Sequence, residues 1–364
     1  MFANVAIIGV GLIGGSLGMV LRARKLATTV TGVGRSAEKL ARAQALGAID
    51  RYTTDIAAGI ATADLVVLAV PVGQITPVLS QIVPFIQAEA IITDVGSVKK
   101  EIVSQAERLT PPRSYFIGGH PMTGSERTGV ENADPYLFES AYYILTPTPS
   151  THPGAFEVMK RLVRAIGARL IVLSPEEHDF LVAGVSHLPH VVAAALVNTV
   201  GTLQEAEKML PLAAGGFRDT TRIAGGNAGL WRDILIANRE PVVKFLKLFR
   251  GQLGEVEKAL STGDIETLHA WLAKAASLRE ALPGKMKGYL RDLYEIVITI
   301  PDRPGSIAAV AGILAAAAIN IADIEILRVR EGEGGTVRLG FATQDDQLKA
   351  VDLLRANDIP ANPR

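Results

Sequence analysis

Cysteine is absent from the 364 residues of the sequence. Its absence excludes disulfide bonds, thiolate metal sites and a cysteine nucleophile, although it leaves the redox compartment open. A net charge is absent as well, since 37 basic residues balance 37 acidic ones. Without an overall charge to attract a polyanion, neither nucleic acid nor an anionic membrane is an expected partner. We therefore expect the partner to be a small molecule.

Residues 5–21 lack any charged side chain, as a signal peptide or a membrane span would. Glycines are regularly spaced in this stretch, no basic residue precedes it and no cleavage pattern follows it. These features predict a strand, a turn and a helix instead. We therefore expect a cytoplasmic protein without a membrane partner, and the length allows two or three domains, each with its own core.

A glycine-rich turn follows the first predicted strand. The apolar residues 5–8 are followed at once by GVGLIG at 9–14 and by a helical stretch over 15–24. A GxGxxG pattern alone is weak, but one between a strand and a helix is in the context that dinucleotide binding requires. The alternative is a glycine-rich turn without a ligand.

Each glycine of this turn has a predicted role. Gly9 permits the tight turn, Gly11 lets the backbone approach a pyrophosphate, and Gly14 lets the helix pack closely on the strand. Leu12 and Ile13 lie where the helix N-terminus offers free N–H groups to phosphate oxygens. We assign these five residues to cofactor binding.

The end of the second predicted strand, residues 29–33, indicates which dinucleotide is bound. The strand is followed by Gly34, Arg35 and Ser36, with no acidic residue to bond the ribose 2′-hydroxyl of NAD. An arginine can accommodate the 2′-phosphate of NADP. Arg35 with Ser36 therefore favours NADP, or the use of both cofactors. The alternative is a solvated Arg35 beside an NAD site that other contacts hold.

Apolar strands continue through the first half of the chain. They alternate with helical stretches, which predicts a doubly wound α/β Rossmann domain over residues 1–173. The continuous apolar runs are typical of parallel strands covered on both faces. The predicted strands lie at residues 64–70, 90–94, 115–117, 142–145 and 170–173.

The loops after these strands should hold the ligand site, because ligands of open α/β sheets bind at the carboxyl ends of strands. Val70 ends the first of them and Pro71 follows it, and both join the cofactor-binding residues. Ser97 follows the next strand, and His120 lies in the glycine-rich turn predicted after residues 115–117. An imidazole that titrates near neutral pH is a catalytic candidate there. The alternative is a histidine that only bonds the backbone.

Seven motifs in one order make the sequence recognisable. They are GVGLIGGSL, DVGSVK, GGHPMTGSE, ILTPT, SPEEHD, VSHLPH and GGFRDTTRIA, and they cover nearly the whole chain. In these motifs the sequence resembles the prephenate dehydrogenases of tyrosine biosynthesis and their relatives that use arogenate. The resemblance implies NAD(P)-dependent oxidative decarboxylation of prephenate to 4-hydroxyphenylpyruvate.

Three other functions stay open. An arogenate dehydrogenase would give tyrosine directly, and its substrate differs from prephenate only at the side-chain oxo or amino group. A non-catalytic sensor of dinucleotide and amino acid would carry a degraded catalytic set, whereas Ser97, His120 and Arg222 are all in place. A general hydroxyacid dehydrogenase would share the nucleotide site but has no reason to carry the GGHPMTGSE and TRIA motifs.

The resemblance also implies roles for five residues. His120 is the catalytic histidine, which accepts a hydrogen bond and eventually a proton from the C4 hydroxyl of prephenate. Ser97 bonds the same oxygen or orients it. Arg222 binds a substrate carboxylate, and His190 and Ser125 complete the substrate-binding residues.

Two of these assignments have alternatives. Arg222 can instead pair with Asp219, three residues earlier on a helix. His190 follows Pro189, which predicts the first turn of a helix, so the positive end of the helix dipole would favour a neutral imidazole. An ordinary buried histidine is the competing interpretation. We expect no metal, because no known zinc-ligand spacing relates the histidines of this region, His178, His187 and His190.

Long helical stretches begin at residue 174. They predict a helical domain over residues 174–284 that contributes to substrate binding and dimerisation, and hence a homodimer. A linker is expected at residues 283–288, where glycine and proline are close together. It separates this domain from a C-terminal one.

The C-terminal domain, residues 293–364, resembles an ACT domain, a βαββαβ module that binds amino acids, usually between paired copies. A strand at 294–300 and helices at 307–317 and 347–356 fit this order. The last strand, at 359–363, is doubtful because its two prolines cannot donate ladder bonds. That departure places an intact ligand site in question.

Tyrosine is the expected effector of this domain, because the domain is attached to a tyrosine-forming enzyme. Asp302, Pro304 and Gly305 lie in a strand-to-helix turn whose N–H groups could bind a ligand carboxylate. Asn320 is the fourth predicted regulatory residue. The alternative is a dimerisation module without a ligand.

Overall fold

A computed structural model describes residues 1–124, 128–281, 293–301, 303–330 and 334–363. The predicted site residues Ser125 and Asp302 and the predicted linker at 283–288 lie outside the described residues. The chain divides into two units, Met1–Leu282 and Pro283–Arg364.

Eight strands of the first unit form one sheet with the order β3-β2-β1-β4-β5-β6-β7-β8. Every neighbouring pair is parallel except β6 and β7, which are antiparallel. Because the order reverses between β1 and β4, the ends of these strands form the crevice in which such sheets bind ligands. The strands are β1 (Phe2–Ile8), β2 (Ala27–Val33), β3 (Arg51–Thr53), β4 (Leu65–Leu68), β5 (Ile91–Asp94), β6 (Tyr115–Pro121), β7 (Tyr142–Thr146) and β8 (Arg169–Val172).

Helices cover both faces of this sheet. They are α1 (Leu12–Ala23), α2 (Ala37–Ala45), α3 (Ile56–Ile60), α4 (Val72–Ile82), α5 (Lys100–Leu109) and α6 (Pro153–Ala165), with 3-10 turns at Val83–Phe85 and Val130–Asn132. Val5 and Ile7 of β1 pack in one apolar cluster with α1 and α6, while Ala6 and Ile8 pack in another with α4 and α5. This alternation follows from the pleat of a strand. The predicted doubly wound Rossmann domain is confirmed.

The rest of the described first unit is helical, as predicted. Its elements are α7 (Pro175–Val182), a π-helical segment (Ala183–His187), α8 (Leu188–Gly201), α9 (Ala206–Met209), α10 (Gly215–Thr221), α11 (Ala228–Ala237), α12 (Arg239–Thr262) and α13 (Ile265–Glu280), with 3-10 turns at Leu210–Leu212 and Arg222–Gly225. The first three elements join into one helix, Pro175–Gly201. Pro189 lies in the first turn of α8, as predicted, but the π segment joins α8 to the helix before it, so this helix end is not free. The π segment ends at His187, two residues before Pro189, and interrupts the regular hydrogen-bond ladder where a residue without an N–H is tolerated.

Among the residues that the structure describes, Pro175–Gly201 is one helix long and apolar enough, by length and composition, to cross a membrane. This is weak support for a span, because the core helix of a protein passes the same test. The helix also buries the polar side chains of His178, Asp179 and His187. Those side chains are bonded to other parts of the first unit, as described below.

The second unit has the βαββαβ order of the predicted ACT-like domain. Its elements are β9 (Tyr294–Ile300), α14 (Ser306–Ala316), β10 (Asp323–Arg330), β11 (Gly334–Phe341), α15 (Gln344–Ala356) and β12 (Ala361–Pro363). The strands form an antiparallel sheet with the order β10-β11-β9-β12. The doubt about the last strand was wrong: β12 forms and pairs with β9. It lies at the edge of the sheet, where proline is tolerated.

Candidate active site

His120 lies within β6, whereas the sequence predicted a turn at this position. The strand continues through Pro121 because β7 pairs with it, placing His120 opposite Ile144. The His120 side chain is buried, with 8% of the residue exposed. The sheet therefore fixes the backbone of His120, and only a small part of the residue is open to contact from outside.

A buried ion pair lies next to this strand. Asp94 ends β5 and Lys99 closes the loop that follows, and neither side chain is exposed to solvent. The Asp94 carboxylate pairs with the Lys99 ammonium and accepts the N–H groups of Gly96 (2.8 Å) and Gly119 (3.2 Å). Buried charges are costly without such partners. The ion pair thus holds the loop after β5 against the residue that precedes His120.

Ser97 lies in that loop and is half-buried. β5 and β6 are neighbouring parallel strands, with Thr93 opposite Ile117. The loop after β5 and the end of β6 therefore meet at one edge of the sheet. The structure brings Ser97 and His120 to this edge, as the sequence predicted, although His120 lies within β6 and not after it.

His120 is hydrogen-bonded to a side chain of α7, which is bonded in turn to a second side chain of the same helix. Nδ1 of His120 lies 2.8 Å from Nε2 of His178, and Nδ1 of His178 lies 2.7 Å from Oδ1 of Asp179. Asp179 also accepts the backbone N–H groups of Lys99 (2.7 Å) and Lys100 (3.0 Å). Imidazole, imidazole and carboxylate thus form one buried row.

Burial lowers the pKa of His120 well below its ordinary value of 6.5, and the neighbouring His178 and Lys99 lower it further. Burial also lowers the pKa of His178, although the hydrogen bond to Asp179 opposes this shift. The pKa of Lys99 is lowered by burial too, against the opposing effect of Asp94. At neutral pH His120 is therefore a neutral imidazole, the form that can accept a proton.

Farther along the same helix, His190 stacks on Trp231, with ring centroids 3.6 Å apart and ring planes 14° apart. Nδ1 of His190 is buried and has no hydrogen-bond partner within the described part of the chain. Burial lowers the pKa of His190. Burial therefore favours the neutral imidazole at His190. A buried polar atom without a partner is a position where a ligand can supply one.

Arg222 begins the 3-10 turn Arg222–Gly225 and is exposed. The residue after this turn, Gly226, lies against the stacked pair. A Cβ at Gly226 would be 2.8 Å from Nε1 of Trp231 and 3.2 Å from Cε1 of His190. Two predicted substrate-binding residues, Arg222 and His190, are therefore placed in one part of the helical region.

The other two histidines of this helix, His178 and His187, have protein partners and are not arranged as metal ligands. His187 Nδ1 lies 3.0 Å from Nδ2 of Asn238, and burial lowers the pKa of His187 to about 4. His178 has His120 and Asp179 as partners. Over the residues that are described, no group of three or more His, Cys, Asp or Glu side chains is arranged to hold a metal ion.

The glycine turn after β1 has two packed positions and one open position. Gly9 has a φ of +94°, and a Cβ there would lie 2.4 Å from the carbonyl oxygen of Ala69. A Cβ at Gly14 would lie 2.2 Å from the carbonyl oxygen of Gly9, whereas a Cβ at Gly11 would meet no atom within 4 Å. The fold itself thus requires Gly9 and Gly14. The open space over Gly11 fits the close approach of a pyrophosphate.

The remaining predicted cofactor residues lie around this turn. Leu12 and Ile13 form the first turn of α1, which no side chain caps. Val70 packs near Gly9, and Pro71 directly precedes α4. Backbone N–H groups at the start of α1 are therefore available for phosphate oxygens, and the residues present fit a dinucleotide.

Arg35 and Ser36 follow β2. Arg35 is exposed. The Ser36 hydroxyl accepts the N–H of Lys39 at 3.3 Å and so caps α2. Ser36 therefore has a structural role that the sequence did not indicate, and Arg35 is an exposed cation directly after β2.

The sequence analysis missed several side chains of the site, namely Asp94, Lys99, His178, Asp179 and Trp231. All except Trp231 lie in the recognised motifs DVGSVK and SPEEHD. The contacts between these side chains, however, were not predicted. A capping box of Ser174 and Glu177, readable from the spacing S-x-x-E, fixes the start of α7. That signal would have placed His178 and Asp179 in the first turns of a helix.

Comparison with protein families assigns all three parts of the chain. Residues 17–172 match the family described as "Prephenate dehydrogenase, nucleotide-binding domain". Residues 174–274 match "Prephenate dehydrogenase, dimerization domain", and residues 294–352 match "ACT domain".

Individual proteins are similar over long stretches. A prephenate dehydrogenase of Bacillus subtilis (strain 168) is 36% identical over 358 residues, which cover 97% of this chain and 96% of that protein. The crystal structure of the A. aeolicus prephenate dehydrogenase in complex with hydroxyphenyl propionate and NAD+ is 34% identical, with a TM-score of 0.74, and the match covers 78% of this chain and 99% of that one. The Synechocystis arogenate dehydrogenase is 32% identical, with a TM-score of 0.67, over 76% of this chain and 99% of that one.

Proposed function

The chain belongs to the prephenate dehydrogenase family, and we propose that it catalyses the oxidative decarboxylation of prephenate to 4-hydroxyphenylpyruvate with His120 as the base. One observation carries the assignment of the base. His120 is a buried, neutral imidazole at the sheet edge where Ser97 also lies, in a unit whose first turn fits a dinucleotide. The activities of the similar proteins support the reaction.

The reaction balances without a net proton. Hydride leaves C4 of prephenate, the C4 hydroxyl gives its proton to His120, and the ring carboxylate departs as CO2 while its bonding electrons aromatise the ring. The bound dinucleotide supplies the hydride acceptor. His120 then returns the proton to the phenolate oxygen. The base must therefore be neutral in the resting enzyme, which agrees with the lowered pKa of His120.

The other predicted residues bind and orient the substrate. Ser97 bonds the C4 oxygen that His120 also approaches. Arg222 binds one substrate carboxylate, since a guanidinium stays charged at any working pH and a charged hydrogen bond contributes about 1.5 to 3 kcal/mol. His190 offers to the substrate its Nδ1, which has no hydrogen-bond partner among the described residues. Ser125 completes this set.

Cofactor binding is assigned to the crevice between β1 and β4. The N–H groups of Leu12 and Ile13 and the open face of Gly11 would hold the pyrophosphate, with Val70 and Pro71 on the β4 side. Arg35, exposed after β2, would meet a 2′-phosphate. We therefore propose that the enzyme uses NADP or both cofactors, although the similar A. aeolicus enzyme was crystallised with NAD+.

A homodimer is part of the proposal. α8 and α12 border an apolar groove of about 600 Å³, lined by residues that include Val191, Leu196, Val243 and Leu253. Leu253 is 51% exposed, and contiguous apolar surface of this kind marks an association site. A second copy accounts for the apolar side of Pro175–Gly201 without a membrane, which agrees with the proposed cytoplasmic location.

Regulation by tyrosine through the ACT domain completes the proposal. Gly305 has a φ of +91° and immediately precedes α14, with Pro304 before it, so this turn leads into a helix N-terminus. Asn320 is exposed after that helix. Tyrosine carries the carboxylate that such a turn can bind.

The direct experiment measures dinucleotide reduction with prephenate and with arogenate, each with NAD+ and with NADP+. The proposal predicts turnover with prephenate, and loss of about 10- to 100-fold in the apparent affinity for NADP+ in Arg35→Ala, with little change for NAD+. Turnover with arogenate alone would assign the second enzyme activity. Tight dinucleotide binding without turnover of either substrate would assign a sensor.

A further inference from the structure

In the buried row, His120 has a hydrogen-bond partner, His178, that takes no direct part in the proposed reaction. We propose that His178 and Asp179 are positioning residues that fix the tautomer of His120, so that its Nε2 carries the lone pair offered to the substrate hydroxyl. This inference rests on the proposed role of His120 as the base. It concerns which nitrogen of His120 is basic and what holds it so.

The tautomer follows from the hydrogen bonds, beginning at the carboxylate. Asp179 accepts two backbone N–H groups, from Lys99 and Lys100, and its Oδ1 lies 2.7 Å from Nδ1 of His178. A carboxylate can only accept, so Nδ1 of His178 must carry the hydrogen. A lone pair on that nitrogen would instead face an anionic oxygen at hydrogen-bond distance.

The tautomer of His178 in turn determines that of His120. Neutral His178 with hydrogen on Nδ1 has its lone pair on Nε2, which lies 2.8 Å from Nδ1 of His120. His120 must therefore donate from Nδ1. In the neutral ring this leaves the lone pair on Nε2, the nitrogen that does not face His178. Asp179, two hydrogen bonds away from His120, thus sets the tautomer of His120.

Burial makes this arrangement rigid. His178 is fully buried, Asp179 is 3% exposed, and Asn238 donates from Nδ2 to the backbone carbonyl of Asp179 at 2.8 Å. Water cannot readily replace one of these partners, since each lies inside the protein. His178 of this row and the buried Lys99 both lower the pKa of His120, so the row orients a neutral imidazole.

The tautomer can be observed directly by NMR of protein labelled with ¹⁵N in its six histidines. His120→Gln and His178→Gln variants would assign the two relevant signals. We expect His120 and His178 both to carry hydrogen on Nδ1 and a lone pair on Nε2 near neutral pH. A wild-type His120 with its hydrogen on Nε2 would overturn the inference, whatever the activity of the enzyme.

Kinetics of two substitutions test the consequence. His178→Gln retains an amide oxygen that can accept the His120 Nδ1 hydrogen, whereas His178→Leu cannot accept it. We expect kcat to fall about 100- to 1000-fold in His178→Leu and less than about tenfold in His178→Gln, with the prephenate KM and the dinucleotide affinity nearly unchanged in both. The exposed His269 provides the matched control, and His269→Leu should behave as wild type.

The outcomes separate this inference from the proposed function. If His120→Asn loses activity but His178→Leu does not, the positioning role is wrong and the base assignment stands. Equal loss in His178→Gln and His178→Leu would also overturn the positioning role. If His120→Asn keeps near-normal turnover, the base assignment itself fails. Dinucleotide affinity reports whether each variant is folded.

Discussion

At the scale of single residues, the site is built around charges that the fold has removed from water. Lys99 and Asp94 are both fully buried, and each is tolerable only because the other is present. The pair ties together the two backbone segments that carry Ser97 and His120, and its cation helps to lower the pKa of His120. The neutral state of His120 at neutral pH is therefore a consequence of burial and of a structural ion pair.

Arg222 gives a test of substrate binding at this scale. Arg222→Lys keeps the positive charge but loses the planar pair of donors that matches a carboxylate. We expect the prephenate KM to rise about tenfold or more while kcat changes much less, which is the pattern of lost uniform binding. Steady-state kinetics of Arg222→Lys and, as a control, of the exposed Arg232→Lys would measure this. An unchanged KM would remove Arg222 from the substrate site.

At the scale of elements, the helix Pro175–Gly201 connects the buried row behind His120 to the helical domain. It contributes His178 and Asp179 from its first turns, and its π segment ends at His187. π segments within α-helices occur frequently at functional sites. Here the segment lies between the row behind His120 and the stacked pair of His190 and Trp231.

Acid should weaken the folded state through this helix. The pKa of His187 is about 4 in the folded protein and near 6.5 when unfolded, so the unfolded state binds more protons between these values. The free energy of unfolding should therefore fall as pH drops below about 6.5, by up to about 1.4 kcal/mol per pH unit for this histidine. Above that range its contribution should not change.

Urea unfolding of the wild type and of His187→Gln at about pH 7 and about pH 5 measures the effect. Glutamine cannot take up a proton in this range, so His187→Gln should lose less stability on acidification than the wild type does. The exposed His269→Gln should match the wild type. Equal acid sensitivity in His187→Gln and the wild type would contradict the assignment of a neutral His187.

Sequence reasoning succeeded for elements whose patterns are local. β1, β2, β4 and β5 are apolar runs ended by polar or turn residues, and each was predicted within about three residues at either end, as is usual for boundaries. The prediction ended β6 at residue 117, because Gly118, Gly119 and His120 have the composition of a turn. Its extension depends on β7, which follows only after an intervening loop.

Dependence on residues distant in the sequence also explains why these side chains were missed. Asp94 and Lys99 are five residues apart, but nothing local shows that the fold buries both. His178 approaches His120 from 58 residues away. Pro189 correctly marked the first turn of α8, but the π segment that joins α8 to α7 has no reliable sequence pattern and was not predicted. The motifs thus located the site, whereas the pairings within it required the three-dimensional structure.

At the scale of the whole molecule, chemistry and regulation are assigned to separate units. The glycine turn and His120 belong to Met1–Leu282, and the ACT domain belongs to Pro283–Arg364. Each unit has its own apolar core. Any effect of an amino acid bound to the second unit on catalysis in the first is therefore a coupling between two sites, and must be reciprocal.

A shortened chain tests this coupling. We expect tyrosine to raise the apparent prephenate KM of the full chain about 5- to 150-fold, the usual range of allosteric coupling. A chain that ends at Leu282 should keep its turnover but lose the response to tyrosine. Prephenate should in turn weaken tyrosine binding to the full chain by the same factor. Equal inhibition of the two chains would place tyrosine in the active site instead.

The most direct test of the account is the pH dependence of kcat/KM for prephenate in the wild type and in His120→Asn. Because the pKa of His120 is lowered well below 6.5, the wild type should be constant from about pH 6.5 to about pH 8 and lose activity only at lower pH. His120→Asn should be about 10²- to 10⁴-fold slower and should lack that acidic decline. Near-normal turnover of His120→Asn, with the acidic decline intact, would contradict the assignment of His120 as the base.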